Sequence, residues 1–361
     1  MDARTALGLR MTSLLLRGGG PSSVAEIVEW FGAMQAQDVN SALWSLGCRL
    51  PGRPLTEINE ALERREAIRT WPMRGTVHWV PPADAHWMLE LMGVRALAGA
   101  AKRRETLGID EALVDRAIEI LADALKGGGR MTRSACLAAL TEGGVAVAGQ
   151  LGYHLLWNAS HRGVTAIAPH VGKEQTFVLL DEWAPSPRRP SREEALAIIA
   201  RRYFRSHGPT TRKDFAGWTG LTMTDCKAGV EAAGDALTTV EVDGVEMIAA
   251  PEVLDAGPMP AGEWHALPGF DEYLLGYKDR SMMASPDQLA AVIPGGNGVF
   301  QSTLVRGGRV VATWKRTLGR KGVTVVIQPL IDFSAADHRQ AAAALEPFAA
   351  YLGVPLTVKN P

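Results

Sequence analysis

Ala67-Ile68-Arg69-Thr70-Trp71-Pro72-Met73-Arg74-Gly75-Thr76-Val77-His78-Trp79-Val80 is the stretch on which the fold turns. Ahead of it, apolar residues recur at helical spacing. Inside it, Ile68, Trp71, Val77 and Trp79 are interrupted by Pro72 and by Arg74-Gly75, which reads as two short strands around a turn. Helices followed by a small hairpin describe a winged helix. Working back, Leu7, Met11, Leu14 and Leu15 predict a helix within residues 2–16, stopped by Gly18-Gly19-Gly20-Pro21. Ser22 or Ser23 can cap a second helix that buries Val24, Ile27, Val28 and Phe31, with Glu26 three residues after Ser23 as in a capping box. Residues 41–50 and 56–65 read as two further helices, with Pro51-Gly52 between them.

The same grammar returns twice. Residues 111–125, 133–141 and 151–159 read as helices, and 163–180 as extended, with 176–179 the clearest strand. Residues 193–207, 211–219 and 222–233 read as helices, and 237–248 alternates around Asp243-Gly244, a favoured hairpin dipeptide. The Pro-rich segment 185–190 is a natural linker. From about residue 263 the character shifts to β, with strands at 298–305, 309–314 and 322–329, and residues 335–351 form a helix before a terminal strand. A small curved sheet or barrel is expected there.

Composition narrows the classes. The 361 residues exceed one small core, and 47% apolar with 21% charged residues describes an ordinary globular protein. With 38 basic and 39 acidic residues the net charge is -1, so any polyanion site must be a local patch. Cys48, Cys136 and Cys226 are odd in number and lack CxxC spacing, which argues against a disulfide framework or structural zinc and for a reducing cytoplasm. Arg4, Arg10 and Arg17 break the apolar run a signal peptide needs, and no later segment reaches membrane-spanning length. GxxxxGK, HExxH, GxSxG and a dinucleotide fingerprint are missing from the sequence. Gly295-Gly296-Asn297-Gly298 lacks a following helix and reads as a loop, and His78, His154 and His161 read as packed or surface histidines, so neither metal nor cofactor is expected.

One short stretch stands apart from this scaffold. In Met34-Gln35-Ala36-Gln37-Asp38, two neutral amides lie two residues apart at the end of one helical pattern and before the next. In an extended or turned segment both amides face one side and can hold a water between them. In a continued helix they diverge by roughly 200°. Basic clusters at Arg201-Arg202 and Lys315-Arg316 are candidate phosphate contacts, although such charges more often decorate a solvated face.

These residues resemble a known family. Met34-Gln35-Ala36-Gln37-Asp38 with Ala42-Leu43-Trp44, Arg69 through His78, and Gly269-Phe270-Asp271-Glu272-Tyr273-Leu274-Leu275-Gly276-Tyr277 with Asp279-Arg280 are similar to the AlkZ/YcaQ winged-helix DNA glycosylases over nearly the whole chain. The resemblance implies an α+β protein of three tandem winged-helix domains, here residues 1–97, 98–187 and 188–258, then a C-terminal β-barrel at 259–361, in a C-shape around DNA. It implies a monofunctional DNA glycosylase acting on N7-alkylguanine in double-stranded DNA, bulky adducts and interstrand crosslinks included, in repair or in self-resistance to a genotoxic natural product. Gln35 and Gln37 match the family's Gln-apolar-Gln catalytic motif. Asp38, Trp71, Met73 and Arg74 are candidate neighbours of that site, with Asp38 also read as a helix N-cap and Trp71 and Met73 as core. The acidic pair Asp271 and Glu272 is read as bracing for the motif. A cytoplasmic, nucleoid-associated monomer with no membrane partner is expected. The competing reading is a non-catalytic winged-helix transcriptional regulator, which has no need of paired amides at a helix end.

Overall fold

The computed structural model describes residues 1–359. The helix Val24–Phe31 starts where Ser23 accepts the Glu26 amide at 3.2 Å, and it buries Val24, Ile27, Val28 and Phe31. The return bond of the expected capping box shifts by one residue, because the Glu26 carboxylate accepts from the Ser22 amide at 2.7 Å. Gly32 ends the helix at φ +77°, and a Cβ there would lie 2.9 Å from Arg202 Cδ. Glycine is therefore needed both for the turn and for the close approach of the helix Arg192–His207. The chain leaves Gly32 extended, before a new helix Val39–Gly47.

The strands are β1 Met34–Gln35, β2 Ile68–Met73, β3 Thr76–Val80, β4 Met131–Thr132, β5 Thr165–Val171, β6 Glu174–Leu179, β7 Thr238–Val242, β8 Val245–Ala249, β9 Trp264–Leu267, β10 Ser302–Arg306, β11 Arg309–Gly319, β12 Gly322–Pro329 and β13 Leu356–Lys359. The helix-then-hairpin order read from sequence is present three times, ending in β2–β3, β5–β6 and β7–β8. The first hairpin turns at Arg74-Gly75, with φ +54° and +70°. The third turns at Asp243-Gly244, with φ +46° and +80°. The first two hairpins share a single six-stranded sheet in the order β1-β3-β2-β5-β6-β4, joined where Arg69 of β2 faces Ile167 of β5. β1 is one edge of that sheet, with Met34 opposite Trp79 and Gln35 opposite His78.

The C-terminal region corrects the expected barrel. It is an open five-stranded sheet in the order β13-β12-β11-β10-β9, whose edge strands β13 and β9 do not meet. The helix Ala335–Leu352 supplies the cover that closure would have given. Its Phe348 ring lies 5.1 Å from Trp314 of β11 and 5.1 Å from Trp44 of the helix Val39–Gly47. The helix returns the chain so that β13 runs parallel to β12. One apolar core thereby joins the C-terminal sheet to the helix that follows the glutamine motif.

Candidate active site

Both glutamines lie beyond the end of the helix, Gln35 in the edge strand Met34–Gln35 and Gln37 in the bend two residues on, so the continued helix that would splay the two amides is not formed. Ala36 donates its amide to Val77 O at 2.8 Å. The next bond of the ladder is made by a side chain, because Val77 N–H donates to Gln37 Oε1 at 3.1 Å. That bond fixes the orientation of the Gln37 amide and leaves its oxygen a second lone pair. Gln37 is otherwise exposed. Gln35 Oε1, in contrast, is buried and has no hydrogen-bond partner among the described residues. An amide oxygen that no protein group engages keeps its lone pairs for a hydrogen-bond donor from outside the chain.

The face that Gln35 shares extends across the sheet. Residues opposite one another in an antiparallel ladder point to the same side, so Gln35, His78 and Thr70 form one row. Thr70 Oγ1 is also buried and unpaired. His78 is fully buried, with Nδ1 donating to Thr76 O at 2.9 Å and Nε2 accepting from Arg74 Nη2 at 3.3 Å. Burial first, and the Arg74 charge second, push His78 down to about 3, so this ring is neutral at physiological pH. On the opposite face, Arg69 donates to Ala36 O at 3.0 Å and lies beside His170 Nε2 at 3.1 Å. Burial lowers Arg69 to about 10, which still leaves a cation beneath the motif at neutral pH.

The outward edge of β1 is closed by Glu272. Its Oε1 accepts the Gln35 amide at 2.9 Å, while Oε2 accepts Trp218 Nε1 at 2.9 Å and faces His207 Nε2 at 3.3 Å. Burial raises this carboxyl, but His207, the Gln35 amide and His78 together overcome that and hold it down at about 2. Next to it, Asp271 receives both Nη atoms of the buried Arg49 at 2.8 and 2.9 Å and the Ser45 hydroxyl at 2.6 Å. The acidic pair thus meets protein donors and reaches the motif from a four-residue helix, Glu272–Leu275.

The other sequence candidates separate clearly. Asp38 caps the helix Val39–Gly47, accepting the Ser41 amide at 2.7 Å, and its carboxylate is exposed beside the motif. Trp71 and Met73 are buried in the core, and Trp71 packs 6.1 Å from the His161 ring. Arg74 is exposed and reaches His78. Arg201 and Lys315 are exposed, and the Arg316 guanidinium lies 5.4 Å from the Phe348 ring centre. Arg202 corrects the expectation of a DNA contact. It is buried, pairs with Asp84 at 2.7 Å and with Glu29, and so ties the helix Arg192–His207 to the helix Val24–Phe31 and to the turn at Asp84. Sequence reasoning passed over His78 and did not reach Arg69, His207 or Trp218. The signal for His78 was its place in the strand opposite Gln35. His207 and Trp218 are near the motif only through tertiary packing.

The fold and site describe a helix-and-hairpin protein that presents a polar glutamine motif at the edge of its larger sheet. The model of the DNA glycosylase AlkZ-like family matches residues 28–351. An interstrand DNA cross-link repair glycosylase of Streptomyces sahachiroi is 26% identical over 329 residues, covering 86% of this chain and 87% of that protein. The solved structure of the Streptomyces sahachiroi DNA glycosylase AlkZ superposes over 100% of both chains with a TM-score of 0.81 at 23% identity, a likeness of fold. The chain belongs to the DNA glycosylase AlkZ-like family, and it is an enzyme of that class.

Proposed function

We propose that this enzyme is a monofunctional glycosylase that hydrolyses the N-glycosidic bond of N7-alkylguanine in double-stranded DNA, including bulky adducts and interstrand crosslinks. The related protein's own name, a cross-link repair glycosylase, supports the bulky end of that range. The observation that carries the reading is the pair of amide oxygens at one sheet edge, one buried and unpartnered, the other oriented by Val77. Alkylation at N7 places positive charge on the base. As the C1′–N9 bond breaks, its electron pair returns to the purine and neutralises that charge, so no strong general acid is required. A water oxygen then bonds to C1′ and loses a proton to solvent. Gln35 and Gln37 are acceptors and not bases, and their role is to align this water and face the developing oxocarbenium charge. No lysine adjoins the motif, which supports hydrolysis without a Schiff-base step.

A base carrying a crosslink cannot enter a snug pocket, so the reading places the motif against a lesion left largely in the duplex. The turn between β11 and β12 supports this. Leu318, near the end of β11 and just before that turn, is 64% exposed, between Lys315 and Arg316 on one side and Arg320 and Lys321 on the other. An apolar tip flanked by cations suits insertion into a groove. In this reading residues 1–97, 98–187 and 188–258 are three winged-helix units arrayed on the DNA, and the activity serves repair or self-resistance to a genotoxic natural product. Incubation with duplexes carrying N7-methylguanine, a bulky N7 adduct or an N7 crosslink should release free base and leave abasic sites. Intact DNA under conditions of clear binding would instead indicate a non-catalytic DNA-binding regulator.

A further inference from the structure

At the tip of the first hairpin lies a groove of about 380 Å³ whose lining includes Arg74, Gly75, Arg95, Gly99, Trp157 and Gly220, and Arg74 ties it to His78, the neighbour of Gln35. We propose that this groove is a phosphate subsite, in which Arg74 grips one backbone phosphate flanking the target nucleotide. The inference rests on the reading of the chain as a DNA glycosylase and adds to it where one strand is held.

Three observations carry it. The first is charge. Arg74 and Arg95 are both exposed, neither pairs with a carboxylate among the described residues, and no Asp or Glu lines the groove. Most other arginines near domain junctions, such as Arg49, Arg188 and Arg202, are committed to acidic partners. The carboxylate whose field reaches Arg74 is Glu272, which is buried and already bound by Gln35, Trp218 and His207.

The second is backbone conformation. Arg74 occupies the hairpin tip at φ +54°, a region that bulky side chains rarely adopt. The two-residue turn with Gly75 sets that conformation and so fixes where the arginine side chain leaves the backbone. Gly75 and Gly220 border the groove at φ +70° and +75°, and without side chains they leave room for a sugar-phosphate backbone.

The third is orientation. The neutral, fully buried His78 accepts one Arg74 N–H at 3.3 Å through a nitrogen whose tautomer Thr76 O fixes. That single bond aims the guanidinium and leaves its other N–H groups for a phosphate, which a guanidinium can bind with two parallel bonds. His78 is also the cross-strand neighbour of Gln35, so the grip and the motif are built on the same rigid row.

The test measures binding and not base release. A duplex with a tetrahydrofuran abasic site carries a single neutral methylphosphonate, moved one position at a time around that site. At one flanking phosphate, neutralisation should weaken wild-type binding roughly tenfold and leave Arg74→Gly, which suits the positive φ, unaffected. Arg74→Lys should respond only partly, keeping charge without the fork. The log–log salt slope of Arg74→Gly should fall by about one. If every methylphosphonate that weakens the wild type weakens Arg74→Gly equally, the subsite is wrong while the glycosylase reading stands. If the wild type shows no salt-dependent binding to the duplex, both fall together.

Discussion

Replacing Glu272 by alanine strikes the motif from behind. In the native protein its carboxylate meets three groups: the Gln35 amide at 2.9 Å, Trp218 Nε1 at 2.9 Å and His207 Nε2 at 3.3 Å. All lie in the interior, where Glu272 is 1% exposed. Removing one partner of such a buried charged cluster typically costs about 3–5 kcal/mol, because the remaining donors are left unpaired. The acid side of the stability profile gives an independent figure. Holding the carboxyl at about 2 instead of its ordinary 4.5 corresponds to roughly 3 kcal/mol at about 1.4 kcal/mol per tenfold change. Since the folded value is the lower one, this stability is fully present above about pH 4.5 and is lost as pH falls towards about 2. Glu272→Gln keeps a carbonyl for the Gln35 amide but cannot accept from Trp218 and His207 as the carboxylate does. It should lose less stability than Glu272→Ala and show a flatter acid limb in that window. The assay pairs thermal unfolding across pH with single-turnover base release at neutral pH, well below each variant's melting temperature. Glu272→Ala should release base at least tenfold more slowly with DNA affinity little changed, through loss of strand alignment. Wild-type release rates in folded Glu272→Ala would show that Glu272 does not align the glutamine strand for catalysis.

Other expectations follow from the same contacts. Asp271→Ala strands the buried Arg49 guanidinium and should destabilise the fold by about 3–5 kcal/mol, read in denaturant unfolding. Asp38→Ala removes a helix cap at a cost of about 1 kcal/mol, and base release measured at matched folded concentration should change little. Arg202→Ala should lower the melting temperature with the salt slope of DNA binding unchanged, whereas Lys315→Ala should leave stability intact and reduce that slope by about one.

Local signals carried much of the fold. The caps at Ser23 and Asp38 and the Asp243-Gly244 turn each act over a few residues, and the elements they bound are present, although the helix expected at 41–50 runs from Val39 to Gly47. The barrel was misjudged for a non-local reason. Adjacent hairpins such as β10–β11 and β11–β12 are visible in sequence, but closure depends on whether β9 meets β13, and the helix Ala335–Leu352 covers the sheet instead. Arg202 was misjudged because a cation on a helix looks the same whether it faces solvent or a buried Asp84. At the site, the glutamine pair was legible as a motif. The bond between Val77 and Gln37, the solitary Gln35 oxygen and the reach of Glu272 across 237 residues depend on chain packing that no spacing encodes.

In the proposed reaction two amides, without a carboxylate base, align water at an N7-alkylguanine nucleotide. Single-turnover release of N7-methylguanine by the wild type, Gln35→Ala and Gln37→Ala, with melting temperature and abasic-duplex affinity recorded for each, tests it most directly. Each variant should slow release on the order of a hundredfold while stability and affinity stay close to wild type. Release at the wild-type rate in either variant, or a loss of activity that only follows a loss of folding, would contradict it.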